Sequence, residues 1–85
     1  MEIEYTRNAK KNLKKIDPMV AEDIISMIEA YAAGEAIARN NAKKLKNQPE
    51  HRLRVGDYRV LFEIKSNERK TMVVNTLGHR KHVYD

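Results

Sequence analysis

Hydrophobic positions change period three times along this chain. Ile3 and Tyr5 alternate with Glu2 and Glu4, the two-residue repeat of a short strand with one buried face. From Thr6 the repeat becomes helical. Ala9, Leu13 and Ile16 recur at steps of four and three, with lysines on the other side, and Thr6 suits the N-cap. Asp17-Pro18 ends that helix and starts another, because Pro disfavours a helical residue before it and fits the first helical position. Val20, Ile24, Ile28 and Tyr31 then step by four, four and three, up to Gly34 as the terminating residue. Residues 35–50 lack a clean period. Ala36, Ile37 and Ala38 extend the helix or form a short one, Asn40-Asn41 and Asn47-Gln48-Pro49 read as loop, and Leu45 is the apolar anchor between them.

From His51 the period is two. Leu53 and Val55 alternate with Arg52 and Arg54, Gly56-Asp57 allows a tight reversal, and Tyr58, Val60, Phe62 and Ile64 alternate with Arg59, Leu61 and Glu63. A polar loop follows over Lys65 to Arg69. Thr71 to Leu77 is a β-branched run with the pattern of a central strand, which Gly78 ends. His79-Arg80-Lys81-His82-Val83-Tyr84 reads as a basic tail. The order is β-α-α-β-β-β: an N-terminal strand, a helical hairpin and an antiparallel three-strand meander. A meander alone leaves its apolar face wet, so the hairpin covers it. The expected architecture is a two-layer α+β domain with one sheet face free of helices.

At 85 residues the chain has room for one core and excludes a second domain or a repeat array. No apolar run approaches the roughly 20 residues of a membrane span, and the first residues lack a signal-peptide pattern, so the expected location is the cytoplasm. Cysteine is absent, which removes disulfides and thiolate chemistry. Charge divides unevenly. Residues 1–34 carry five basic and six acidic side chains, net −1, whereas residues 35–85 carry twelve and six, net +6. Such asymmetry fits a polyanion partner, and it also serves solubility.

Alternation decides where that charge points. If Leu53 and Val55 face the helices, Arg52 and Arg54 face away, and Arg59 joins them from the next strand. With Arg80 and Lys81 just beyond the last strand they make a phosphate-binding surface, since guanidinium forks phosphate oxygens. Three histidines (His51, His79, His82) come without cysteine or a paired carboxylate, so no metal site is expected. His82 and Tyr84 fit proton transfer and base stacking. Lys10, Lys11, Lys14 and Lys15 read as a solvated helix face.

With these residues in place the chain resembles toxins of the RelE/ParE superfamily, on the RelE side, as one RelE-like domain over residues 1–85. Three stretches carry the resemblance: Ala9 to Asp17, Lys44-Leu45-Lys46-Asn47, and Arg52 to Ile64 followed by Leu77 to Tyr84. The resemblance implies a cofactor-free mRNA interferase of a type II toxin–antitoxin pair. Such a toxin enters the ribosomal A site and cuts mRNA by attack of the ribose 2′-OH on the adjacent phosphate. Its partners are a cognate antitoxin, mRNA and the ribosome. By position, Arg59 matches the arginine on the scissile phosphate, Arg80 the basic residue after the glycine, and Tyr84 the aromatic residue that stacks on the base. Arg52 and Arg54 match basic strand positions that are lysines in the best-known RelE-type toxin. Arginine cannot release a proton, so His82 or His79 becomes the candidate base. The implied catalytic set is Arg54, Arg59, Arg80, His82 and Tyr84, and the RNA-binding set Arg52, Arg54, Lys44, Lys46, Lys81 and His79. The alternative within the superfamily is a ParE-like toxin that inhibits DNA gyrase by binding, without chemistry of its own.

Overall fold

The computed structural model describes residues 1–83. Strand β1 (Glu2–Tyr5) leads into helices α1 (Arg7–Lys14), α2 (Pro18–Ala32) and α3 (Ala36–Arg39). Four strands follow: β2 (Ala42–Lys44), β3 (His51–Val55), β4 (Tyr58–Ser66) and β5 (Lys70–His79). The helix starts are those the sequence implies. Thr6 Oγ1 accepts the Ala9 N–H at 3.1 Å, and Asp17 Oδ1 accepts the Met19 N–H at 2.9 Å with Pro18 behind it. Gly34 ends α2 at a φ of +84°, where a side chain would be strained.

The sheet has five strands in the order β1-β5-β4-β3-β2. β1 runs parallel to β5, and the other neighbours are antiparallel. The expected two-layer α+β arrangement is present; α3 is the short helix rather than an extension of α2, and β2 is added where no period is visible. The core joins Ala9, Ile24, Ile28, Tyr31, Ala32 and Ala38 from the helices to Leu53, Val60, Phe62, Met72, Val74 and Leu77 from the sheet. Those strand residues define the helix-covered face, so their alternates define an open one. Leu45 is buried, as expected of a loop anchor.

The end of β5 departs from simple alternation. Leu61 pairs with Thr76 but Phe62 with Val74, so Asn75 is an extra residue in a bulge. The bulge returns Leu77 to the core face three residues after Val74. It also marks where β1 stops, since β1 reaches only Val74. Beyond that point α1 supplies the missing partners. Thr6 Oγ1 donates to the Asn75 carbonyl at 2.8 Å and Asn8 Nδ2 donates to the same oxygen at 3.3 Å. Asn12 Oδ1 accepts both the Leu77 N–H and the Thr76 hydroxyl at 3.0 Å. A buried donor left unpaired costs about 1–3 kcal/mol. Asn12→Ala is therefore expected to lower unfolding stability by that order, and Asn12→Asp, which keeps the acceptor, to recover most of it, read as denaturant midpoints.

On the helix side, the His51 ring stacks on Phe62 at 5.1 Å and 14°. Phe62 meets Tyr31 edge-on at 4.8 Å, and the Arg39 guanidinium lies 4.1 Å from the Tyr31 ring centre. His51 Nδ1 is buried without a hydrogen-bond partner. Burial, and secondarily the Lys44 ammonium, lower the His51 pKa. The fold thus favours the neutral ring. Stability is full above the unfolded-state value near 6.5 and declines as pH falls below it toward the depressed folded value. His51→Phe keeps the stack and removes the proton, so its stability should change less than the parent's between neutral and mildly acidic pH.

Candidate nucleic-acid interface

Register across a two-residue turn builds the basic surface. β3 and β4 pair so that Arg54 lies directly opposite Arg59, and Arg52 opposite Leu61. On its other side Arg52 faces Lys43 of β2. Each alternates with a core residue, so Lys43, Arg52, Arg54 and Arg59 share the open face. Gly78 of β5 sits across from Arg59, and the Val83 side chain lies over it, 3.1 Å from where a Cβ would stand. Like charges directly opposed in a sheet are destabilising, so fold stability does not explain the Arg54–Arg59 pair.

The turn between those strands organises two further groups. Gly56 adopts a φ of +58°, which the reversal requires. Arg59 Nη1 donates to the Tyr58 carbonyl at 3.2 Å and the Gly56 carbonyl at 3.4 Å. The Arg80 N–H donates to the Asp57 carbonyl at 2.7 Å, and its Nε stands 3.9 Å from Asp57 Oδ1. Arg59 and Arg80 therefore meet at one corner of the sheet. Both Arg80 and Asp57 side chains are more than half exposed, so this ion pair is a weak tether that an incoming phosphate can displace. Further along the open face the sign changes. The Asn75 amide donates to Glu63 at 2.8 Å and Glu50 at 3.0 Å, tying two carboxylates together at the bulge.

The other expected site residues are placed differently. Lys44 pairs with His51, and its ammonium donates to the carbonyls of Leu45 and Gln48. It braces the loop before β3, and Lys46 is exposed on that loop. Lys43, which the sequence reading passed over, holds the open-face position instead. Only the β2–β3 register tells the two lysines apart. His79 is the last residue of β5 rather than part of a tail, and it pairs with Tyr58 on the helix side, ring centres 5.6 Å apart. His82 and Lys81 are exposed on the turn that follows, and the His82 N–H donates to the His79 carbonyl at 2.8 Å. Tyr84 lies outside the described residues. Among those residues no three His, Asp or Glu side chains gather into a cation site, and no helix is long and apolar enough to cross a membrane.

The family model of the ParE toxin of type II toxin–antitoxin systems (parDE) matches residues 3–84. The chain belongs to this toxin family. Solved structures place the ParE-family fold among RelE complexes. A chain of the RelBE2 toxin–antitoxin complex from Mycobacterium tuberculosis superposes with a TM-score of 0.76 at 23% identity, over 93% of this chain and 96% of that one. A chain of the RelB–RelE complex from Methanococcus jannaschii gives 0.73 at 25%, over 96% and 95%. A chain of the Escherichia coli RelBE complex gives 0.68 at 18%, over 92% and 94%. No curated protein sequence matches the chain. The RelE/ParE superfamily assignment holds on both the sequence and the fold comparison.

For this ParE-family toxin the opposed arginines carry a cost in stability. Arg54→Thr removes a like-charge pair and places a good strand former, so it should stabilise the fold by about 0.2–1 kcal/mol. The same variant should bind single-stranded RNA more weakly, with a shallower dependence of log affinity on log salt, by about 0.7 for one lost phosphate contact. Denaturant midpoints and filter binding at several salt concentrations measure the two effects.

Proposed function

We propose that the toxin is an mRNA interferase that cleaves mRNA in the ribosomal A site. The observation that carries this reading is the Arg54–Arg59 pair, held face to face on an open sheet with Arg52 and Lys43 beside it and Arg80 at the corner. Two guanidinium groups that repel each other in the free protein are brought together without penalty by one phosphodiester between them. The reaction requires no cofactor in this reading. A ribose 2′-OH loses its proton and its oxygen attacks the adjacent phosphorus. The bond to the 5′-oxygen breaks, and that oxygen takes up a proton as it leaves. Negative charge grows on the non-bridging oxygens, where Arg54, Arg59 and Arg80 offset it. The arginines stay protonated throughout, so proton transfer falls to another group. His79 and His82 stand at the end of the sheet nearest Arg80, with Tyr84 following in the chain. Lys46 and Lys81 add exposed positive charge for the RNA backbone.

The solved structures similar to this chain are toxin–antitoxin complexes, which supports a cognate antitoxin as the standing partner. A second reading draws on the ParE family match: a toxin that binds DNA gyrase and carries out no chemistry. Fold likeness does not separate the two.

Primer extension on a reporter mRNA, in a purified translation system with and without ribosomes, separates them. The expected result is cuts within codons that require ribosomes. Arg59→Ala, with its fold verified by circular dichroism, should cut about 100–1,000-fold more slowly, the usual loss when one charge-stabilising donor is removed. Intact mRNA together with double-strand DNA breaks in arrested cells would establish the gyrase reading instead.

A further inference from the structure

The open face carries a second row of like charge, of the opposite sign. Glu63 pairs with Val73 of β5, and Val73 pairs on its other side with Glu4 of β1. Phe62, Met72 and Val74, their neighbours along the strands, belong to the core, so Glu63 and Glu4 point to the open side. Glu50 joins them from the residue before β3. The Asn75 amide that donates to Glu63 at 2.8 Å also donates to Glu50 at 3.0 Å. Glu4, Glu63 and Glu50 thus cross the sheet in line. Beyond them the signs mix again, with Lys65 opposite Thr71 and Arg69 standing 3.4 Å from Glu2.

This row runs beside the arginine row at a fixed spacing. Glu50 lies four positions before Arg54, and Glu63 four positions after Arg59. At the rise of a strand that is about 13 Å. Arg52 and Leu61 fill the row between. Fold stability explains neither charged row. Opposed arginines repel, and so do two carboxylates gathered on one amide. Neutral acceptors would serve the two amide hydrogens of Asn75 equally well, so the bridge itself does not call for two charges.

The spacing of the rows matches the distance between backbones across a duplex groove, about 12 Å for the major groove of B-form DNA. A duplex that rests one backbone on Arg54 and Arg59 sets its other backbone over Glu50 and Glu63. A single strand lying along the arginine row meets the cations alone. At 0.1 M salt the carboxylates are then more than a Debye length of about 10 Å away. We propose that the row of Glu4, Glu63 and Glu50 excludes a second strand, so that the arginine row accepts single-stranded RNA and rejects duplexes. The row binds nothing and selects by repulsion. The inference rests on the ribonuclease reading and assigns specificity-determining residues to that site.

The test is fluorescence anisotropy with 2′-O-methyl RNA, which cannot be cut, of about ten nucleotides, one helical turn. It is offered as a single strand and as a duplex, beside a DNA duplex of the same sequence. The unmodified toxin should bind the single strand more tightly than either duplex. Glu50→Gln together with Glu63→Gln keeps acceptor oxygens for Asn75 and removes both charges. One charge about 7 Å from a phosphate in water is worth about threefold in affinity, so the pair should raise duplex affinity roughly tenfold. Single-strand affinity should rise by less than about threefold, and both gains should shrink as salt rises. Glu4→Gln lies outside the bridge and should also favour the duplex, which a role confined to holding the bulge does not predict. Equal gains for single strand and duplex, or no gain for the duplex, would overturn the assignment. Ribosome-dependent cutting by a toxin that binds duplexes as well as single strands would overturn it and keep the nuclease reading. Discrimination by a toxin that cuts no mRNA on ribosomes would keep it and remove the nuclease reading.

Discussion

The edge of β5 beyond Val74 is the constraint on which the rest of the molecule turns. A strand edge without a neighbour exposes a row of amide and carbonyl groups, and this one lies against a helix instead of another strand. Thr6, Asn8 and Asn12, spaced along one side of α1, supply the bonds. Thr6 does double duty, because the hydroxyl that caps α1 also donates to the Asn75 carbonyl. Helix start, bulge and strand edge are therefore one cooperative unit. The positions of Gly78, His79 and Arg80 follow from it, since all three are carried on the segment that unit holds.

How much of this the sequence reveals depends on whether burial leaves a period. α2, β3 and β4 were legible because Ile24, Ile28 and Tyr31, or Leu53 and Val60, recur at the spacing their element demands. The arginine face followed from the same alternation carried across Gly56-Asp57. β2 was not legible. It has three residues, a half-buried alanine and two exposed lysines, and only pairing with β3 makes it a strand. The lysine facing Arg52 was therefore unreadable. The bulge at Asn75 was hidden as well, because a step of three between Val74 and Leu77 has no meaning until the partner strand is known. For that reason His79 reads as tail in the sequence, and its pairing with Tyr58 is a tertiary fact.

The two faces of the sheet answer to different demands. The helix-covered face is apolar, and its one unpaired polar atom belongs, among the described residues, to a histidine stacked on Phe62. The open face holds charges whose mutual repulsion the fold tolerates, bounded at the bulge by the Glu50–Asn75–Glu63 bridge. A surface of that kind is best satisfied by something brought from outside. In the proposed reading RNA satisfies it with phosphates. A protein that silences the toxin by covering the same surface has to bring acidic groups of its own.

Pairing of the first strand with the last has a further consequence, in time rather than in space. Thr6 and Asn75 are 69 residues apart in the chain, and among the described residues β1 takes its only strand partner from β5. Contacts of such long separation close late and slow folding. During synthesis β1 and α1 emerge before β5 and wait, with an unpaired strand and a half-buried helix, until β5 has left the ribosome. The segment that completes the basic corner is thus made and secured after both of them. A chain cut short before β5 lacks both the strand that β1 needs and the segment bearing Arg80, so it cannot close this fold.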